Sequence, residues 1–118
     1  MIIWKEFKFD SAHALSSLPD GHKCGNMHGH TFTLRVYVKG RHDGRKPWVM
    51  DFGDIKKVVG PIVDSLDHSL LNETTGLDDP TCENLCLWFW DKLRGRIPGL
   101  HKVYISESPS SGCEYEGP

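Results

Sequence analysis

From Phe32 to Val38 the chain sets apolar side chains on every even position (Phe32, Leu34, Val36, Val38) and polar or amphipathic ones on the odd positions between them. That period of two describes a strand with one buried face, and no other stretch limits the fold as tightly. Carried backwards, the same register turns His28 and His30 inward. Imidazoles at i and i+2 of a strand project side by side, near enough to share one metal ion. Gly29 between them is expected to let the ion or a ligand approach the backbone, and Cys24 lies four residues upstream. The pattern points to a zinc site at the mouth of a β-sheet.

The rest of the chain supplies partners for that strand. Residues 2–9 mix β-branched and aromatic side chains, with Phe7 and Phe9 on one face, and are expected to form the first strand. Residues 16–25 hold a loop rich in turn formers, the second strand spans about His28 to Lys39, and the polar segment Gly40–Pro47 reverses the chain. Asp51 is a candidate N-cap for a helix carrying Ile55, Val58, Val59, Ile62 and Leu66 as one apolar stripe, with Gly60-Pro61 expected to kink it. A loop from Leu66 to Pro80 leads to a second helix capped by Thr81, with Cys82, Leu85, Cys86, Phe89 and Leu93 on one face and Gly95 as its stop. Val103 and Ile105, then Cys113 and Tyr115, alternate as two further strands. The expected architecture is α+β, a four-stranded antiparallel sheet in the order ββααββ with two helices on one face, forming a single domain over residues 1–118.

A formal charge of −2 argues against a general nucleic-acid binder but leaves room for a small anionic substrate. No apolar run approaches a membrane span and the N-terminus lacks a signal-peptide pattern, so no membrane partner and a cytoplasmic location are expected. In that compartment the four cysteines are expected to be free thiols, and Asn72-Glu73-Thr74 a chance sequon.

Among seven histidines, His13 is the natural third partner for His28 and His30, because adjacent strands bring it across. A catalytic zinc site uses three protein ligands and keeps a fourth position for water or substrate. His42 and His101 are expected to face water, and His22 to neighbour the site. Cys24 has two readings: a fourth ligand closing a structural zinc site, or a thiolate beside the metal acting as base or nucleophile. Asp67-His68, at the end of the first helix, can form an acid–base relay or an ordinary helix terminus. Glu107 continues the inward register of Val103 and Ile105, so its carboxylate needs a partner; it is either the strand's last, solvent-reaching residue or the binder of a group with paired N–H donors.

Together these residues resemble the 6-pyruvoyl-tetrahydropterin synthase superfamily, most closely its 6-carboxytetrahydropterin-forming branch. The matching pieces are Phe9-Asp10-Ser11-Ala12-His13, Gly21-His22-Lys23-Cys24 with His28-Gly29-His30, Met50-Asp51-Phe52, Leu66-Asp67-His68, Leu71-Asn72, Pro80-Thr81-Cys82-Glu83-Asn84, and Glu107 with Gly112-Cys113. The three-residue gap between Cys24 and His28 is similar to the carboxy-forming branch, and Ser11 departs from the alanine of many relatives. The resemblance implies a tunnelling fold whose subunits join edge to edge as a trimer or dimer of trimers, with active sites between subunits. It further implies zinc on His13, His28 and His30, Cys24 as proton acceptor, Asp67 and His68 as relay, and Glu107 anchoring a pterin ring. It implies Thr81 as an added ring contact, and Lys23 and His22 are local candidates for the triphosphate. The implied substrate is 7,8-dihydroneopterin triphosphate, converted to 6-carboxy-5,6,7,8-tetrahydropterin for deazapurine (queuosine-type) biosynthesis. The alternatives are pyruvoyl formation without acetaldehyde release and a non-catalytic zinc-stabilised module.

Overall fold

A computed structural model describes residues 1–118. The two long strands pair as the alternation requires: β1 (Ile2–His13) runs antiparallel to β2 (His28–Lys39) over its whole length, from Ile2 opposite Lys39 to His13 opposite His28. β4 (Leu100–Ser108) flanks β2 and β5 (Ser111–Tyr115) flanks β4, both antiparallel. The expected sheet needs one correction. Ser69–Leu70 forms a short strand, β3, parallel to β1 at Ser11 and Ala12, so the sheet has five mixed strands in the order β3-β1-β2-β4-β5.

Asp51 caps α1 (Phe52–Leu66), its carboxylate accepting the Gly53 N–H at 2.8 Å. Ile55, Val59, Val63 and Leu66 are buried along one side of this helix, while Pro61 lies on the exposed side and the helix continues through it. The segment expected to be a loop contains a five-residue helix, α2 (Leu71–Thr75), stopped by Gly76 at φ 75°. The chain order is therefore ββαβααββ. α3 (Cys82–Leu93) begins at Thr81, whose hydroxyl accepts the Asn84 N–H at 3.2 Å. Gly95 is not its left-handed stop. Turns continue through Ile97, and the positive φ falls at Gly99, packed so close to the Lys39 carbonyl that a side chain would collide with it.

α1 packs on β1, and α3 on β4 and β5, so the helices cover one face as expected. Between the layers, Phe9, Phe32 and Phe89 form an aromatic centre, with the Phe9 and Phe32 rings stacked at 5.2 Å. The opposite face is polar, with Arg35 paired to Glu6 at 2.9 Å and lying over the Trp4 ring. No helix is long and apolar enough to cross a membrane.

Candidate metal centre and active site

β1 and β2 end together on the covered face, and that end carries three imidazoles. His13 lies opposite His28, and His30 opposite Ser11 two residues along, so the three rings converge with one nitrogen of each within 4.8 Å of the others. Two backbone carbonyls set the tautomers. His13 Nδ1–H donates to the Pro80 carbonyl at 2.8 Å, and His28 Nδ1–H to the Asn26 carbonyl at 2.7 Å. A carbonyl only accepts, so each proton resides on Nδ1 and each Nε2 presents a lone pair. Those two Nε2 atoms face each other at 2.9 Å, an arrangement that needs a proton or a cation between them. His30 Nε2 is buried without any hydrogen-bond partner. Two inward lone pairs and a third ring nitrogen left without a partner fit a metal ion.

The surroundings favour that charge state. His13 is almost wholly buried, and this desolvation holds its pKa below the ordinary 6.5 despite the opposing Pro80 hydrogen bond. It is therefore neutral at pH 7, the form that ligates. Phe32 makes an apolar floor, its ring edge-on to His13 at 5.6 Å and to His30 at 5.7 Å.

Beside the rings lies a cleft of about 420 Å³ walled by Lys23, Cys24, His28, His30 and Glu107. Cys24 sits on a single 3-10 turn, Lys23–Gly25, where its N–H donates to His22 Nδ1 at 3.1 Å and its carbonyl accepts from the Leu15 N–H. Its thiol stands outside the convergent group of three nitrogens. Glu107 reaches from β4 to within 3.7 Å of both His13 Nε2 and His30 Nε2, its side chain 35% exposed. The same carboxylate borders a second hollow of about 370 Å³ lined by Cys82, Glu83, Ser111, Gly112 and Cys113. Thr81 walls neither hollow, and its hydroxyl is engaged as the α3 cap.

Asp67 and His68 are not brought to this cleft. They leave α1 near β1, and His68 lines a different hollow with Asp10, Gly29, Thr31 and Ser69; the two hollows share only His30. His68 Nδ1 and Asp67 Oδ2 are 2.9 Å apart. The Asp10 N–H, which donates to Asp67 Oδ1, and then His68 hold the Asp67 carboxyl below its ordinary range. Gly29 also lies on that side: with period two it points away from its histidine neighbours, so the room it leaves is in the His68 hollow and not at the ring nitrogens.

Sequence reasoning missed the carbonyls of Asn26 and Pro80, which carry no residue-type signal. It also missed what Asn72 does. The Asn72 amide accepts the Ala14 N–H at 3.0 Å and donates to the carbonyls of Ala14 and Asp78, tying the end of β1 to α2.

Fold and site together define an α+β protein built around a three-histidine group able to hold a metal ion, with a thiol and a carboxylate in the adjoining cleft. The chain belongs to the 6-pyruvoyl tetrahydropterin synthase family, whose profile matches residues 2–118. It is 40% identical to the 6-carboxy-5,6,7,8-tetrahydropterin synthase of Synechocystis sp., across 99% of this chain and 94% of that protein. It is also 40% identical to the dihydroneopterin monophosphate aldolase of Pyrococcus furiosus, across 92% and 90%. Among solved structures, 6-pyruvoyl tetrahydropterin synthase from Caenorhabditis elegans superposes with a TM-score of 0.88 at 28% identity, covering all of this chain and 96% of the other.

Proposed function

We propose that this chain is a zinc-dependent lyase that converts 7,8-dihydroneopterin triphosphate and water to 6-carboxy-5,6,7,8-tetrahydropterin, acetaldehyde and triphosphate, a step toward deazapurines of the queuosine type. The observation that carries the reading is that three imidazole nitrogens converge beside a cleft whose one lining thiol, Cys24, stays outside their group. A non-catalytic module would use that thiol as a fourth ligand. An open position beside a free thiol serves catalysis instead.

Zinc on His13, His28 and His30 supplies Lewis acidity, acidifying side-chain hydroxyls of the substrate and offsetting charge on oxygen. Glu107 binds the guanidine-like edge of the pterin, whose parallel N–H donors match a carboxylate. Because Glu107 and the histidines wall one cleft, a ring anchored there directs its side chain at the metal centre. Cys24 accepts the proton from the side-chain carbon, and Lys23 is the cation at the cleft available to the triphosphate. The balance is internal: the ring gains two hydrogens as the first side-chain carbon becomes a carboxyl, water supplies the oxygen, and no outside oxidant is needed.

Asp67 and His68 relay protons in this scheme, and His68 faces another hollow of the same chain. They therefore act from a neighbouring subunit of a homo-oligomer, a trimer or a dimer of trimers. The sheet offers edges for that assembly, since β3 covers β1 only at Ser11 and Ala12 and β5 is terminal.

The test supplies zinc-loaded protein with 7,8-dihydroneopterin triphosphate and measures acetaldehyde and the pterin product. Stoichiometric acetaldehyde with the carboxy product supports the reading. A pyruvoyl product without acetaldehyde contradicts it in favour of the related synthase activity. Turnover of dihydroneopterin monophosphate alone contradicts it in favour of the activity named for the Pyrococcus relative.

A further inference from the structure

Ser11 is buried at 6% exposure, and its hydroxyl donates to the carbonyl of Leu66. Leu66 is the last residue of α1, so its carbonyl has no partner within the helix. The same oxygen accepts a second hydroxyl, Ser69 Oγ, at 2.6 Å, and Ser69 pairs with Ser11 across the short parallel ladder. Between these anchored residues stand Asp67 and His68. Neighbouring Asp10 grips both through its backbone: its N–H donates to Asp67 Oδ1 at 2.8 Å and its carbonyl accepts the His68 N–H at 2.6 Å. Its side chain is fixed in turn by the Thr31 hydroxyl, which donates to Asp10 Oδ1 at 2.5 Å. His68 needs such restraint, because it has a φ of 56°, a left-handed conformation that a residue with a side chain adopts only when its surroundings enforce it.

We propose that Ser11 is a positioning residue for the Asp67–His68 pair: its hydroxyl, with that of Ser69, pins the end of α1 to β1 so that His68 holds its left-handed backbone and presents Nδ1 to Asp67. The inference rests on the reading of that pair as the proton relay. It adds a residue that touches neither substrate nor metal and acts through the helix end. It also gives β1 two duties within four residues, since His13 belongs to the metal centre and Asp10–Ser11 hold the relay. If the relay serves a neighbouring subunit, one strand organises parts of two active sites.

The experiment compares wild type with Ser11→Ala, Ser69→Ala and the double variant, each zinc-loaded. Ser11→Ala alone leaves the Leu66 carbonyl one hydroxyl, so the single variants keep their fold. Expected is a kcat for acetaldehyde release about tenfold lower in Ser11→Ala and about a hundredfold lower in the double variant, with KM within about twofold and zinc stoichiometry unchanged. Long-range proton–nitrogen correlation of the His68 ring, assigned against His68→Gln, should show the Nδ1–H form in wild type and a mixture of tautomers in the double variant. A double variant with wild-type kcat and an unaltered ring spectrum overturns the proposal. So does a kcat loss matched by equal zinc loss, which would make the serines merely structural. If wild type releases no acetaldehyde, the lyase reading fails, while the ring spectrum still decides whether the serines position His68.

Discussion

The histidine centre and the Asp67–His68 corner lie at the same end of β1, yet they are built in opposite ways. The three imidazoles are directed by strand register, two of them lie edge-on to Phe32, and two have their tautomers fixed by backbone carbonyls. Asp67 and His68 lie largely in the open, at 40% and 78% side-chain exposure, and are held by the backbone of Asp10 and by hydroxyls at the helix end. The contrast fits the tasks proposed for them. A metal centre needs lone pairs aimed before the ion arrives, in a site dry enough to keep them neutral. A proton relay must exchange with its surroundings, so it is fixed through its backbone and left accessible.

Variants that damage one region and spare the other test this division. The largest effect is expected from His28→Ala, which removes one of the three converging nitrogens. Metal affinity should fall by more than the ~10–100-fold typical of losing a supporting contact, and turnover should vanish with it. Metal analysis after dialysis checks this, and retention of full metal would break the contrast. Asp67→Asn should do the reverse, lowering kcat by ~10²–10⁴-fold with metal content unchanged. Parallel metal and kinetic measurements decide it.

A smaller effect on folding is expected from Asn72→Ala, which strands the N–H and carbonyl of Ala14 directly after His13. Chemical denaturation should show a loss of roughly 1–3 kcal/mol. The smallest is a pH effect. Asp67 titrates below its ordinary 3.8 in the folded chain, so its contribution to stability is complete above that value and disappears as pH falls through the lower folded value. Asp67→Asn should therefore flatten the acid limb of a stability–pH profile below about pH 4, and an unchanged limb would show that Asp67 contributes nothing there.

How much could be read beforehand follows the same division. Alternation from Phe32 to Val38 carries the register of β2 and the inward direction of His28 and His30, because burial of one strand face writes itself into residue type. His13 follows once β1 pairs with β2. The caps at Asp51 and Thr81 were legible because an oxygen side chain before an apolar stripe has few other uses there. β3 was not, since Ser69 and Leu70 are too few to show a period and their pairing with Ser11 and Ala12 is parallel and distant in sequence. The five residues of α2 were hidden for the same reason. At Gly95 the residue type suited a helix stop, but tertiary contact of Gly99 with Lys39 set the left-handed turn four residues later. Gly29 was assigned to the metal when strand geometry turns it the other way. The grip of Asp10 and Ser11 on the helix end uses backbone groups and one hydroxyl, which leave little trace in residue type.

The central claim is an open three-nitrogen metal site with a reactive thiol that is not a ligand, and Cys24→Ala tests it most directly. Bound zinc per chain, thermal stability and acetaldehyde release should be measured on one preparation. The account predicts one zinc per three-histidine centre, an unchanged melting transition and turnover reduced by at least ~10²-fold. Loss of zinc together with unfolding would contradict it, because the thiol would then be part of the metal shell.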